Sequence, residues 1–203
     1  MRSTMPFYGV PAPGVRAIAR ARLDPIEFPR FAGWTDAVLE LWRGARRREE
    51  RYLAIALCRT PGARRYQTPR ALPLYEEMIV TGAWWDYVDE IAIRLVGGIL
   101  RSHPGSVAPR MRAWSRSSDL WKRRTAIICQ VGSKEATDLE LLQDCIEPAR
   151  DSREFFLRKA IGWALRQYAW TDPDWVRRYL RREGDRLSPL SRREAAKHLG
   201  LPA

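Results

Sequence analysis

Apolar side chains return every third and fourth position through residues 37–42, 53–57, 84–100, 139–146 and 155–168. That is the spacing of one face of an α-helix, and no stretch alternates apolar and polar residues between turn signals as a strand does. The chain is therefore expected to be all-α, with each helix burying a stripe against its neighbours. Start signals agree. Thr137 with Glu140 and Ser191 with Glu194 have capping-box spacing, Asp151 with Glu154 is a close relative, and Asp172-Pro173 puts proline at a first helical position. Breaks are expected at Pro61-Gly62, Pro73, Pro104-Gly105, Gly132-Ser133, Gly184 and Pro189, which leaves about ten short helices.

A register of 35 residues runs through these helices. Arg123, Arg158 and Arg193 are 35 apart, and the same step through positions 56, 91, 126, 161 and 196 gives Ala, Ile, Ala, Ile, Ala. A period of this size with apolar residues at matching steps belongs to repeats of helical hairpins, the α-solenoid class. Coincidence in an arginine-rich helical chain is the other reading. The 203 residues suit a single repeat domain over 1–203. If the register is structural, Arg123-Arg124, Arg158-Lys159 and Arg192-Arg193 share one surface and make a concave basic face.

Charge narrows the partner. There are 36 Lys and Arg against 24 acidic residues, a formal net charge of +12, which suits an acidic polymer. Nucleic acid is favoured over a membrane surface, since no lipidation motif and no long helix with a purely basic face is present. Residues 91–100, the longest apolar stretch, are interrupted by Arg94, and no membrane span is expected. Cys58, Cys129 and Cys145 are far apart, odd in number and set among apolar residues, so they read as reduced core thiols of a cytoplasmic protein. His103 and His198 are the only imidazoles. Neither has a partner at metal-ligand spacing, so no metal and no cofactor is expected.

The segment Trp84-Trp85-Asp86-Tyr87-Val88-Asp89 carries the chemistry best suited to a cationic group. Aromatic faces attract cations, and carboxylates stabilise developing positive charge. Trp85 and Asp89 are four apart and share a helix face, while Trp84, Val88, Ile91 and Leu95 form the adjacent apolar stripe. Trp163 follows Gly162 in a helical run where glycine costs about 1 kcal/mol relative to alanine. Such a glycine marks a close approach, either of a ligand backbone or of a neighbouring helix with Trp163 in the core. Arg124, in a helix expected to start from Ser118, is either a phosphate clamp or a solvated charge. The run from Arg43 to Arg51 mixes signs and reads as a loop and helix start, either touching the DNA backbone or, the preferred reading, solvated.

Three segments resemble the AlkD family of DNA alkylation repair glycosylases: Trp84 to Asp89, Trp121-Lys122-Arg123-Arg124-Thr125-Ala126-Ile127, and Arg153 through Ala169. The opening Pro6-Phe7-Tyr8-Gly9-Val10 and the ending Leu187 to Ala195 are similar to it as well, in matching order over nearly the whole chain. The resemblance implies a superhelix of HEAT-like repeats that holds duplex DNA and excises cationic N-alkylated purines such as 3-methyladenine and 7-methylguanine, without turning the base into a pocket. It also implies that Asp89, Trp85 and Trp163 are catalytic and that Arg124 is the cleft arginine. Arg123, Arg158 and Lys159 are expected DNA contacts from their shared basic surface. Family members carry additional helical sequence before the Pro-Phe-Tyr-Gly-like segment, upon which this chain almost begins. The expected protein is a monomer acting on alkylated duplex DNA in the cytoplasm, at the nucleoid. A non-catalytic HEAT-like nucleic-acid-binding protein is the alternative.

Overall fold

A computed structural model describes residues 4–199, and the chain divides between Ile91 and Ala92 into two compact units. Twelve α-helices and no strand occur among the described residues, so the fold is the all-α helical-repeat class that the period implies.

The first unit contains α1 (Ala12–Arg22), α2 (Phe31–Gly44), α3 (Arg48–Leu57), α4 (Leu72–Gly82) and α5 (Trp85–Glu90), with 3-10 turns at Pro61–Tyr66 and Pro69–Ala71. α3 packs on α1, α2 and α5. The core forms on α2, where Trp34, Val38 and Trp42 follow at steps of four and are fully buried. Trp34 stacks on Tyr66 with ring centroids 5.4 Å apart, and Trp42 meets Tyr87 edge-on at 5.7 Å. The Trp42 indole N–H donates to Thr81 Oγ1 at 2.8 Å, which satisfies its polar edge. Pro73 starts α4 instead of breaking a helix, because the first turn needs no proline N–H.

A π-helical turn (Ile91–Val96) runs across the division, and the second unit contains α6 (Gly97–Ser102), α7 (Pro104–Ser115), α8 (Leu120–Ile128), α9 (Leu139–Ile146), α10 (Phe155–Tyr168), α11 (Pro173–Glu183) and α12 (Pro189–Ala196). Successive helices pack in pairs, α7 on α8 and α8 on α9, while α10 lies against α8, α11 and α12. Ile91, Ala126 and Ile161, the central steps of the 35-residue register, are all buried, whereas Ala56 and Ala196 are half-buried.

Three helix starts differ from expectation by one to three residues. Asp119, not Ser118, caps α8 by accepting from the Trp121 and Lys122 N–H groups. Asp138, not Thr137, caps α9, and Ser188, not Ser191, caps α12. Asp172 does cap α11 ahead of Pro173. Cys58, Cys129 and Cys145 are free and buried. Burial raises all three thiol pKa values, that of Cys145 to about 12.

Candidate functional site

The first unit presents Trp85 and Asp89 through a local break in the helical path. α4 ends at Ala83, whose φ of 43° is left-handed, and Trp84 is extended before α5 resumes. Tyr87 and Val88 then point into the core. The helical step of about 100° per residue therefore turns Trp85 and Asp89 onto another strip. Trp85 is 44% exposed; Trp84 and Asp89 are half-buried.

Asp86, one residue along, has a different role. Its carboxylate is paired with Arg48 and accepts the Tyr52 hydroxyl at 2.5 Å, while Arg48 also donates to Tyr52 at 2.8 Å. The Arg48 guanidinium lies over the Tyr87 ring, 5.3 Å from its centroid. Burial and the carboxylate push the Tyr52 phenol well above its ordinary range, so it stays protonated as the donor. The neighbouring Glu49, only 8% exposed, accepts from the backbone N–H groups of Tyr8, Gly9 and Val10 at 3.0, 2.9 and 3.2 Å. Gly9 has φ +88°, a conformation that lets successive N–H groups converge on one anion. Burial alone would raise the Glu49 pKa, but the three donors outweigh it and the pKa falls. The expected solvated run at 43–51 is thus partly interior: Arg48 and Glu49 hold the Phe7 to Val10 segment and α5 to α3. Sequence reasoning missed both, because their partners lie 38 to 41 residues away.

The second unit holds Trp163 and the basic candidates. Arg124 is 5% exposed, so it is not a solvated charge; its Nη1 donates to the Phe156 carbonyl at 2.7 Å, tying α8 to the start of α10. Arg123 donates to the Pro148 carbonyl at 2.8 Å. Lys159 is ion-paired with Glu194 at 2.9 Å, and Arg158 is half-buried. Arg192 and Arg193 are exposed, so the three basic pairs differ in their surroundings although their spacing is equal. Trp163 is half-buried on α10. The close approach at Gly162 is made by α12, since an added Cβ would run into the Glu194 Cβ and lie 2.8 Å from the Ser191 carbonyl oxygen. Of the two readings of this glycine, the neighbouring helix is the one the structure supports.

Hollows open within the units; one of about 330 Å³ in the second is lined by Arg150, Arg153, Arg158 and Arg186 among others, and two are larger. One of about 560 Å³ in the first unit is walled by Phe7, Val10, Tyr52, Ile55, Asp86 and Glu90. The other, about 420 Å³ in the second, is walled by Gln130, Leu142, Gln167, Tyr168 and Trp170 among others. Neither includes Trp85, Asp89, Arg124 or Trp163. Among the described residues no group of three His, Cys, Asp or Glu side chains is arranged to hold a metal ion, and no helix is long and apolar enough to cross a membrane.

No curated protein matches the chain significantly. A solved structure described as a predicted DNA alkylation repair enzyme from Enterococcus faecalis is similar at 30% identity and a TM-score of 0.85, over 97% of this chain and 89% of that one. The model of the DNA alkylation repair enzyme family matches residues 1–199. With a match of that extent, the chain belongs to the DNA alkylation repair enzyme family.

Proposed function

We propose that the protein is a DNA glycosylase that hydrolyses the N-glycosidic bond of cationic N-alkylated purines, 3-methyladenine and 7-methylguanine, in duplex DNA. The observation that carries this reading is the exposed indole of Trp85 one helical turn before Asp89, in a basic chain of the alkylation repair family.

A purine alkylated at N3 or N7 carries positive charge and leaves without being protonated. The enzyme's task is to stabilise a deoxyribose that turns cationic as the C1′–N bond lengthens. The indole faces of Trp85, in the first unit, and Trp163, in the second, are each suited to such a cationic sugar, a contact contributing roughly 0.5 to 2 kcal/mol. The Asp89 carboxylate stabilises the oxocarbenium-like transition state and orients the attacking water, as carboxylates do in glycoside hydrolysis. Water adds at C1′, the bonding pair leaves with the purine and neutralises it, and the water's proton passes to Asp89 or solvent. Arg124, Arg123, Arg158 and Lys159 add positive potential toward the phosphates. The reaction is read as acting on the sugar without drawing the base into a pocket. Neutral lesions, whose leaving groups need protonation, are then poor substrates.

The test is release of 7-methylguanine from methylated duplex DNA. Asp89→Asn should slow single-turnover release by about a hundredfold or more, the scale of losing one preorganised electrostatic group, with DNA binding retained. A wild-type protein that binds the duplex and releases nothing leaves the non-catalytic binder in its place; equal rates for wild type and Asp89→Asn remove the carboxylate from the mechanism.

A further inference from the structure

Glu194 lies under α10 with 6% of its surface exposed. Its carboxylate is ion-paired with Lys159 at 2.9 Å, with Lys197 at 2.8 Å, and with Arg166. Lys159 stands four residues before Trp163 and Arg166 three after it, so both share the Trp163 strip of the helix, one turn to either side. The backbone below is held as well. Ser191, fully buried, donates its hydroxyl to the Arg158 carbonyl at 2.9 Å, and α12 touches Gly162, the residue before Trp163, closely enough to exclude a methyl group.

Three cations on one carboxylate exceed what holding two helices together requires. A single pair would dock α12, and Lys197, which directly follows α12, adds nothing to that docking. The two α10 partners, Lys159 and Arg166, stand one turn before and one turn after Trp163. We infer that Glu194 is a positioning residue for Trp163: through Lys159 and Arg166 it sets the orientation of the indole that faces the sugar. The inference rests on the sugar-facing role of Trp163 given above. It also reassigns Lys159, whose charge serves the ring before it serves a phosphate. A purely structural Glu194 would hold α12 in place and leave the ring unaffected by the loss of its charge.

The experiment uses the full chain with 5-fluorotryptophan incorporated, the Trp163 resonance being assigned with Trp163→Phe. Glu194→Gln should move or broaden that resonance. It should also slow single-turnover release of 7-methylguanine by about tenfold, within the range that a misplacement of about an ångström costs. DNA affinity should hold or rise, because three cations lose their internal counter-charge. In a Trp163→Ala background Glu194→Gln should slow release no further, the non-additivity of residues acting as one unit. A multiplicative loss in that background, or an unmoved resonance, overturns the inference. If Glu194→Gln does not fold, Glu194→Asp, which withdraws the charge by one methylene, is read by the same resonance and rates. If Trp163→Ala leaves release unchanged, the role of the ring in the reaction fails, and the fluorine shift still decides whether Glu194 governs its orientation.

Discussion

Gly162→Ala separates local helix preference from packing, because the two predict opposite signs. Gly162 lies in the interior of α10, where alanine is favoured over glycine by about 1 kcal/mol. The added methyl meets the Glu194 Cβ, the Ser191 carbonyl oxygen at 2.8 Å and the Ser191 Cα at 3.2 Å. Two of these atoms are backbone, and α12 is held by Ser191 and the Glu194 ion pairs, so it cannot yield locally. Overpacking of this kind costs about 1 to 3 kcal/mol and more where backbone must move. After the propensity gain, a net loss of about 2 kcal/mol is expected, or a fall in melting temperature of about 4 to 8 °C for a chain this long. Thermal unfolding followed by far-UV circular dichroism measures it. Gly33→Ala in α2 is the control: nothing lies within 4 Å of its Cβ position, so propensity acts alone and the melting temperature should rise. A Gly162→Ala protein melting at or above wild type would refute the close packing of α12 on α10.

Acid should dissolve the advantage of Glu194. Burial opposes its ionisation, but hydrogen bonds from Lys197 and Lys159 and the charges of Lys159 and Arg166 hold its pKa at about 2, against an ordinary 4.5. A carboxylate with a lowered folded pKa stabilises fully above its unfolded pKa and loses that contribution as pH falls through the folded one. The stability gap between wild type and Glu194→Gln, about 2 to 3 kcal/mol at neutral pH, should therefore close between pH 4.5 and 2; a urea-midpoint gap equal at pH 2.5 and pH 6 would contradict this. Glu49→Ala removes the acceptor of three N–H groups, and hydrogen exchange at Tyr8, Gly9 and Val10 should quicken by about tenfold or more. Unchanged exchange would show that the carboxylate does not hold that segment. With roughly six phosphates contacted, log Kd for duplex DNA should change with log salt at a slope of about 5, whereas a flat response would deny a phosphate-driven interface.

The helices were legible because their apolar period survives without knowledge of tertiary partners, and Val38 and Trp42, four apart on α2, are buried as that period requires. Helix starts were less so. Thr137 and Asp138 both carry a capping oxygen, as do Ser117, Ser118 and Asp119, and which one caps depends on where the packed helix begins. The fate of charge was least legible. Arg123 and Arg193 sit two steps apart in the 35-residue register, yet one is half-buried and donates to the Pro148 carbonyl and the other is exposed. Trp85 and Asp89 were found because their spacing is local. Glu194 was visible only as half of a capping box that does not form, since its partners Lys159 and Arg166 lie 35 and 28 residues earlier.

A protein that serves against alkylation damage meets the methylating electrophiles that cause it, and cysteine thiolate is among the most reactive nucleophiles a protein offers them. Cys58, Cys129 and Cys145 are enclosed by apolar neighbours and held in the thiol form. For Cys145, at about 12, the ionised share at pH 7 is on the order of one part in a hundred thousand. The fold therefore keeps its own sulfur away from such electrophiles.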